Sequence, residues 1–179
     1  MKNILCAKKV RVACAGVAWT FCLSPVAGLA GEIHALVRDK TGIGVVDAVV
    51  VALPANRPAG NAGGVTATII VDQVKKEFVP YVLPVQVGTA VNFPNKDNIR
   101  HHVYSFSQAK TFELPLYTGT PAAPVVFDKP GPVVLGCNIH DWMISYVYVS
   151  ESPYFAKTGA DGKVALTDLP SGNYTVRIW

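Results

Sequence analysis

Cys137, His140 and Met143 stand at three-residue intervals in the run Gly136-Cys137-Asn138-Ile139-His140-Asp141-Trp142-Met143, and a histidine pair, His101-His102, lies upstream of them. A thiolate, two imidazoles and a thioether suit a soft, redox-active ion. Two histidines and one cysteine in a plane, with a weak axial methionine, are the ligand set of a blue-copper centre.

The sulfur count sharpens this reading. Cys6, Cys14 and Cys22 all precede residue 31 and Met1 is the initiator, so the rest of the chain holds one cysteine and one methionine, set six residues apart around a histidine. Methionine ordinarily fills gaps in apolar cores, and this placement points to coordination instead. The alternative is a buried free thiol, a core methionine and ordinary histidines.

Residues 1–30 carry Lys2, Lys8, Lys9 and Arg11, then the apolar run Val12 to Leu23, then Ser24-Pro25 and Ala27-Gly28-Leu29-Ala30. That order of charged, apolar and small residues is expected of a cleavable signal peptide with cleavage before Gly31, and the apolar run is short of the roughly 20 residues that span a bilayer. The expectation is an exported protein, periplasmic in a Gram-negative cell and without a membrane span after cleavage. The formal charge of +4 then disappears: four of the sixteen basic residues lie in the leader, leaving twelve against twelve acids. No basic run with interleaved aromatics is present, so nucleic acid is not an expected partner. In an oxidising compartment the lone Cys137 has no internal disulfide partner.

These side chains must be positioned by strands. Short runs rich in Val, Ile, Tyr and Phe alternate with Gly, Pro and Asn clusters, and no stretch keeps a 3.6-residue apolar period, so the chain is expected to be all-β, a sandwich or barrel of eleven short strands. These fall at 32–38, 48–53, 67–71, 81–87, 89–93, 102–106, 125–127, 132–137, 144–149, 163–167 and 174–178. The Pro-, Gly- and Asn-rich segment 54–64 reads as a linker or long loop, and Ser150-Glu151-Ser152-Pro153 marks a second break. The expected organisation is a leader (1–30), a metal-binding domain (64–150) and a discontinuous flanking sandwich (31–63 and 151–179).

Strand alternation puts Val133, Leu135 and Cys137 on one face, and residues 138–142 turn the chain back into the next strand. Three ligands then come from one loop, and the fourth from a neighbouring strand. His101 and His102 point to opposite faces of that strand, so one of them ligates and periodicity alone does not choose.

The segment Val87-Gly88-Thr89-Ala90-Val91-Asn92-Phe93, followed by Arg100-His101-His102-Val103, resembles the cupredoxins, particularly plastocyanin and amicyanin, and Cys137, His140 and Met143 have the spacing of the amicyanin-type short ligand loop. The resemblance implies a Greek-key β-sandwich binding one type 1 copper through His101, Cys137, His140 and Met143. It places His102 where the family usually has an asparagine that ties the ligand loop to its neighbour, so His102 and Asn138 are the expected supporting residues around the ligands. Asp141 and Trp142 depart from amicyanin, so its docking surface does not carry over. The whole chain also resembles exported cupredoxin-type proteins labelled methylamine utilization protein. Residues 32–53 and 158–178 resemble the opening and close of a prealbumin-like module of the carboxypeptidase-regulatory type, which implies a structural or adhesive role.

The leading expectation is therefore a one-electron carrier between redox proteins, and not an enzyme, since four ligands leave no open position for a substrate. Copper handling without electron transfer, a metal-free β-sandwich binding module and a Cys137/His140 nucleophilic enzyme are the alternatives. Zinc is disfavoured by the methionine. Asp141 reads as a solvated loop acid and His34 as an ordinary surface or core-edge histidine. Tyr81, Tyr104, Tyr117 and Tyr146 read as packing within the sandwich.

Overall fold

The structure, a computed structural model, describes residues 8–12, 30–56, 69–121 and 123–179. The expected leader therefore lies outside the described residues except for 8–12 and Ala30. Among the described residues there is no helix, and none long and apolar enough to cross a membrane. In chain order the strands are β1 (Lys8–Val12), β2 (Gly31–Leu36), β3 (Val49–Pro54), β4 (Ile69–Ile70), β5 (Asp72–Val74), β6 (Glu77–Val79), β7 (Val82–Gln86) and β8 (Thr89–Asn92). The second half holds β9 (His101–Ser107), β10 (Lys110–Tyr117), β11 (Val125–Phe127), β12 (Gly131–Cys137), β13 (Ile144–Ser150), β14 (Phe155–Lys157), β15 (Lys163–Leu169) and β16 (Gly172–Ile178).

The chain divides into two compact units, Met1–Pro58 with Tyr154–Trp179, and Ala59–Pro153. In the first, one sheet runs β1-β16-β3-β14 and a second pairs β15 with β2. Ile33, Val50, Ala52, Leu166, Leu169, Tyr174 and Val176 close its core. Its lone histidine, His34, is exposed beside Glu32, 2.9 Å away.

In the second unit a five-stranded sheet, β10-β9-β12-β13-β7, faces a three-stranded one, β11-β8-β4, across a core of Val91, Phe93, Val103, Phe127, Val133, Leu135 and Val147, all essentially without solvent contact. The two sheets sharing one core make a β-sandwich, as the sequence led us to expect. Each such side chain contributes roughly 1.5–3 kcal/mol on burial, so this layer fixes the register of β9 and β12 against their neighbours. The alternation is visible along β12, where Val133, Leu135 and Cys137 are buried and Pro132 and Val134 are exposed. It is equally visible along β9, where His101, Val103 and Ser105 point in and His102, Tyr104 and Phe106 point out.

Five described strands were not among the eleven expected from the sequence: β1, which falls within the expected leader, and β5, β6, β10 and β14. Of the four tyrosines read as packing within the sandwich, Tyr117 packs against its core, while Tyr104 and Tyr81 lie outside it. Tyr104 lies on the outer face of the large sheet with its ring over Gly136, where an added Cβ would come within 2.8 Å of it. Tyr81 is 55% exposed and meets Tyr146 edge-on at 5.4 Å.

Candidate metal centre

Pairing of Gly136 with Tyr104 and of Cys137 with Val103 sets the end of β12 beside the start of β9. Because both strands alternate, His101 and Cys137 point into the same core, His101 with no solvent exposure and Cys137 with 2%. After Cys137 the chain turns within residues 138–143. The Met143 N–H donates to the His140 carbonyl at 3.0 Å, and Met143 enters the core cluster that contains Cys137.

Cys137 Sγ stands 3.9 Å from His101 Nδ1 and 3.8 Å from His140 Nδ1. The three donor atoms lie within 4.8 Å of one another, and the two imidazole rings cross at 64° with centroids 5.0 Å apart. A metal–sulfur bond of about 2.3 Å and a metal–nitrogen bond of about 2.0 Å together reach about 4.3 Å, so one ion can touch the sulfur and either nitrogen without moving them. This buried His–Cys–His group could hold a metal ion.

What stands behind His101 fixes how it faces the sulfur. Its Nε2 is 2.8 Å from Asp97 Oδ2. An ionised carboxylate only accepts hydrogen bonds, so Nε2 carries a proton and Nδ1 is the nitrogen that faces Cys137. Asp97 is held in turn by the backbone N–H of Lys75 at 2.7 Å and of Lys76 at 2.8 Å, and its own N–H donates to Asn95 Oδ1 at 3.0 Å. Burial works against the Asp97 charge, but the bonds from His101, Lys76 and Lys75 outweigh it and keep the carboxyl below its ordinary range. At His140 burial, and then the fields of His101 and Lys76, lower the pKa against the opposing pull of Asp97. Its imidazole is therefore neutral near pH 7, as a ligand must be.

The loop carrying Asp97 is anchored by buried polar groups. Asn95 Nδ2 donates to the carbonyls of Ile99 at 2.8 Å and Tyr117 at 2.9 Å. Gln73 Nε2 donates to Tyr117 Oη at 2.5 Å, and that hydroxyl donates to the Phe93 carbonyl at 2.6 Å. Burial, partly offset by the Gln73 bond, pushes the Tyr117 hydroxyl up to about 12, so it stays a donor.

The structure thus brings together His101, Cys137 and His140, and buries Met143 in the same core. It does not bring His102 or Asn138 to them. His102 is on the outer face beside Tyr104, with Nε2 2.9 Å from Glu113 Oε1 yet off the line of a hydrogen bond. Asn138 is exposed on the loop. Asp141 is exposed, and Trp142, 65% exposed, leans on His140 with ring centroids 5.1 Å apart. Asp97, Asn95 and Gln73 escaped the sequence reading, and Tyr117 was read only as packing. An acid four residues before a histidine was the one available signal.

No protein-family model matches the chain, and no curated protein does either. Solved structures do. A copper-containing nitrite reductase from Thermus scotoductus SA-01 is 28% identical with a TM-score of 0.44 over 47% of this chain, which spans only 22% of that protein's length. A purple cupredoxin from Nitrosopumilus maritimus is 26% identical with a TM-score of 0.40, covering 47% of this chain and 99% of its own. A reduced mutant of amicyanin is 23% identical with a TM-score of 0.43, covering 56% of this chain and 98% of its own. A purple cupredoxin and amicyanin are thus among the solved structures that this chain is similar to, and the cupredoxins are the family its sequence resembles.

Proposed function

We propose that the chain is an exported carrier of single electrons that binds one copper ion through His101, Cys137, His140 and Met143 and catalyses no reaction of its own. The observation that supports this reading most directly is the buried Cys137 Sγ with two imidazole nitrogens 3.9 and 3.8 Å away. Copper would supply the Cu(I)/Cu(II) couple, and a thiolate–imidazole set with a thioether nearby accommodates both states.

The protein's own contribution is rigidity and exclusion. Strands β9 and β12 hold His101 and Cys137 from opposite sides of one ladder, Asp97 locks the His101 tautomer, and the apolar core keeps water from Cys137. His140 is the partly exposed ligand candidate, and Ile139 and Trp142 beside it are 47% and 65% exposed. An electron would cross there, between the ring edge and whatever docks on that apolar surround. The leader composition supports export, and N-terminal sequencing of the secreted protein checks the cleavage before Gly31.

The test is a visible spectrum of the purified protein after addition of Cu(II), with Cys137→Ser beside it. An intense blue or purple thiolate-to-copper band, bleached by one electron equivalent and absent from the variant, is the expected result. A folded protein that stays colourless overturns the carrier reading.

A further inference from the structure

The β5–β6 hairpin turns through two residues, Lys75 and Lys76, between the paired Val74 and Glu77. Their φ angles are 54° and 60°, so both are left-handed, as a type I′ turn requires. Such turns select Asn-Gly, because a longer L side chain at positive φ crowds its own backbone. Two successive lysines break that preference, and sequences that break a local rule commonly do so for a site.

What the turn achieves is aim. The two successive N–H groups reach one carboxylate, Lys75 to Asp97 Oδ1 at 2.7 Å and Lys76 to Oδ2 at 2.8 Å, across 22 and 21 residues of chain. The third donor on that carboxylate is His101 Nε2 at 2.8 Å. With both oxygens engaged from the turn, the carboxylate cannot rotate away from the ring, and the ring cannot exchange its Nε2 proton for one on Nδ1 without losing its acceptor. Both lysine side chains are exposed and, among the described residues, in no ion pair.

We infer that the Lys75–Lys76 turn is a positioning element for His101: its main-chain N–H groups grip Asp97, Asp97 grips Nε2, and Nδ1 is thereby presented to Cys137 and His140. The role belongs to the main chain and not to the ammonium groups, so any residue pair that keeps the turn type serves. Its bearing on metal binding rests on the proposed function, while the grip itself does not.

The experiment compares three variants in the metal-free full chain by ¹⁵N NMR, which distinguishes the two imidazole tautomers of His101. A glycine inserted between Lys75 and Lys76 lengthens the turn and misaims the amides. Asp97→Asn replaces an acceptor oxygen by an NH₂ group facing other donors. Lys75→Asn with Lys76→Gly keeps a type I′ turn and removes both charges. The first two are expected to lose the single Nε2–H tautomer, to exchange the turn amides at least tenfold faster, and to bind copper about 10–100-fold more weakly. The Asn-Gly variant should match the parent in tautomer and in amide exchange, while its copper affinity also registers the loss of the Lys76 charge whose field reaches His140. Should the insertion variant not fold, Asp97→Asn decides alone. A single Nε2–H tautomer surviving in Asp97→Asn or in the folded insertion variant, or an Asn-Gly variant as disturbed as the insertion, overturns the inference. If the parent binds no copper, the carrier reading falls while the tautomer measurements still decide the role of the turn.

Discussion

The two faces of β9 give neighbouring histidines opposite fates. His101 points inward, without solvent exposure, with Asp97 behind Nε2 and Cys137 in front of Nδ1. His102 points outward, with 12% of its side chain exposed, beside a Glu113 whose own side chain is 62% exposed. Both have a carboxylate at close range, so an acid beside the ring is not what separates them. Inside, the acid is immobilised by two backbone amides and the opposite nitrogen meets a sulfur. Outside, the acid is a largely exposed side chain in competition with water, and among the described residues His102 Nε2 has no hydrogen-bond partner. What sets His101 apart as a candidate ligand is the fixing of its far nitrogen as much as the sulfur it faces.

Replacing each histidine in turn is the widest test of that contrast. His101→Ala removes one of three clustered donors and is expected to weaken copper binding by well over 100-fold, beyond the 10–100-fold typical of losing a supporting residue. His102→Ala should change it less than about threefold. Competition titration against a chelator measures both. Comparable losses from the two would break the comparison.

Much of the inner face could be read from the chain alone, because strand alternation and the scarcity of sulfur are properties of the sequence itself. Val133, Leu135 and Cys137 fall on one side by parity, and the Cys137–His140–Met143 spacing needs only a tight loop. The choice of His101 over His102 could not be read from parity, which separates the faces without saying which one is the core. What escaped were features set by long-range geometry. Strand β10 alternates half-buried and exposed residues from Lys110 to Pro115, but none is fully buried, and Pro115 and the register shift between Leu114 and Tyr117 interrupt it. The β5–β6 hairpin lacks the Asn-Gly signal, since its turn is held by Asp97 rather than by its own residue types. The support behind His101, from Asn95, Asp97, Gln73 and Tyr117, consists of polar residues whose partners, apart from the Asp97–His101 pair itself, lie 20 or more residues away or on the backbone.

The outer face can be perturbed without touching a donor atom. Gly136 lies under the Tyr104 ring, and a Cβ there would come within 2.8 Å of it. Gly136→Ala must push that ring outward, at a cost of about 1–3 kcal/mol for an overpacked site, measured by urea unfolding of the metal-free protein. If the faces are as independent as their side chains suggest, the copper spectrum keeps its band position. A shifted band would mean that strain at Gly136 is passed along β12 to Cys137.

Tyr117 tests the inner support from below. Tyr117→Phe removes an acceptor for Gln73 and a donor to Phe93, while Gln73 keeps its 3.1 Å bond to the Phe93 carbonyl. The expected loss is about 1–2 kcal/mol. The tyrosine pKa is raised to about 12 by burial in the folded state. The unfolded chain therefore releases its proton first, near pH 10, and the parent's stability falls between pH 10 and 12, by at most about 1.4 kcal/mol per pH unit from this group. Unfolding curves across that range should show the difference between parent and Tyr117→Phe narrowing. A constant difference would place the hydroxyl in solvent.

The smallest effect belongs to the outer carboxylate. Glu113 stands 2.9 Å from His102 but is largely exposed and not aligned for a hydrogen bond, so Glu113→Gln should change stability by less than about 0.5 kcal/mol, as exposed ion pairs usually do. It should leave copper affinity unchanged. Asp97→Asn has a similar charge change on the other face and an expected 10–100-fold effect on affinity, so the pair isolates immobilisation from charge. Measured side by side at low and at about 0.5 M salt, the Glu113 effect should vanish with screening and the Asp97 effect should persist. If both vanished, the two histidines would differ only in burial, and the grip on Asp97 would have no part in making His101 the ligand.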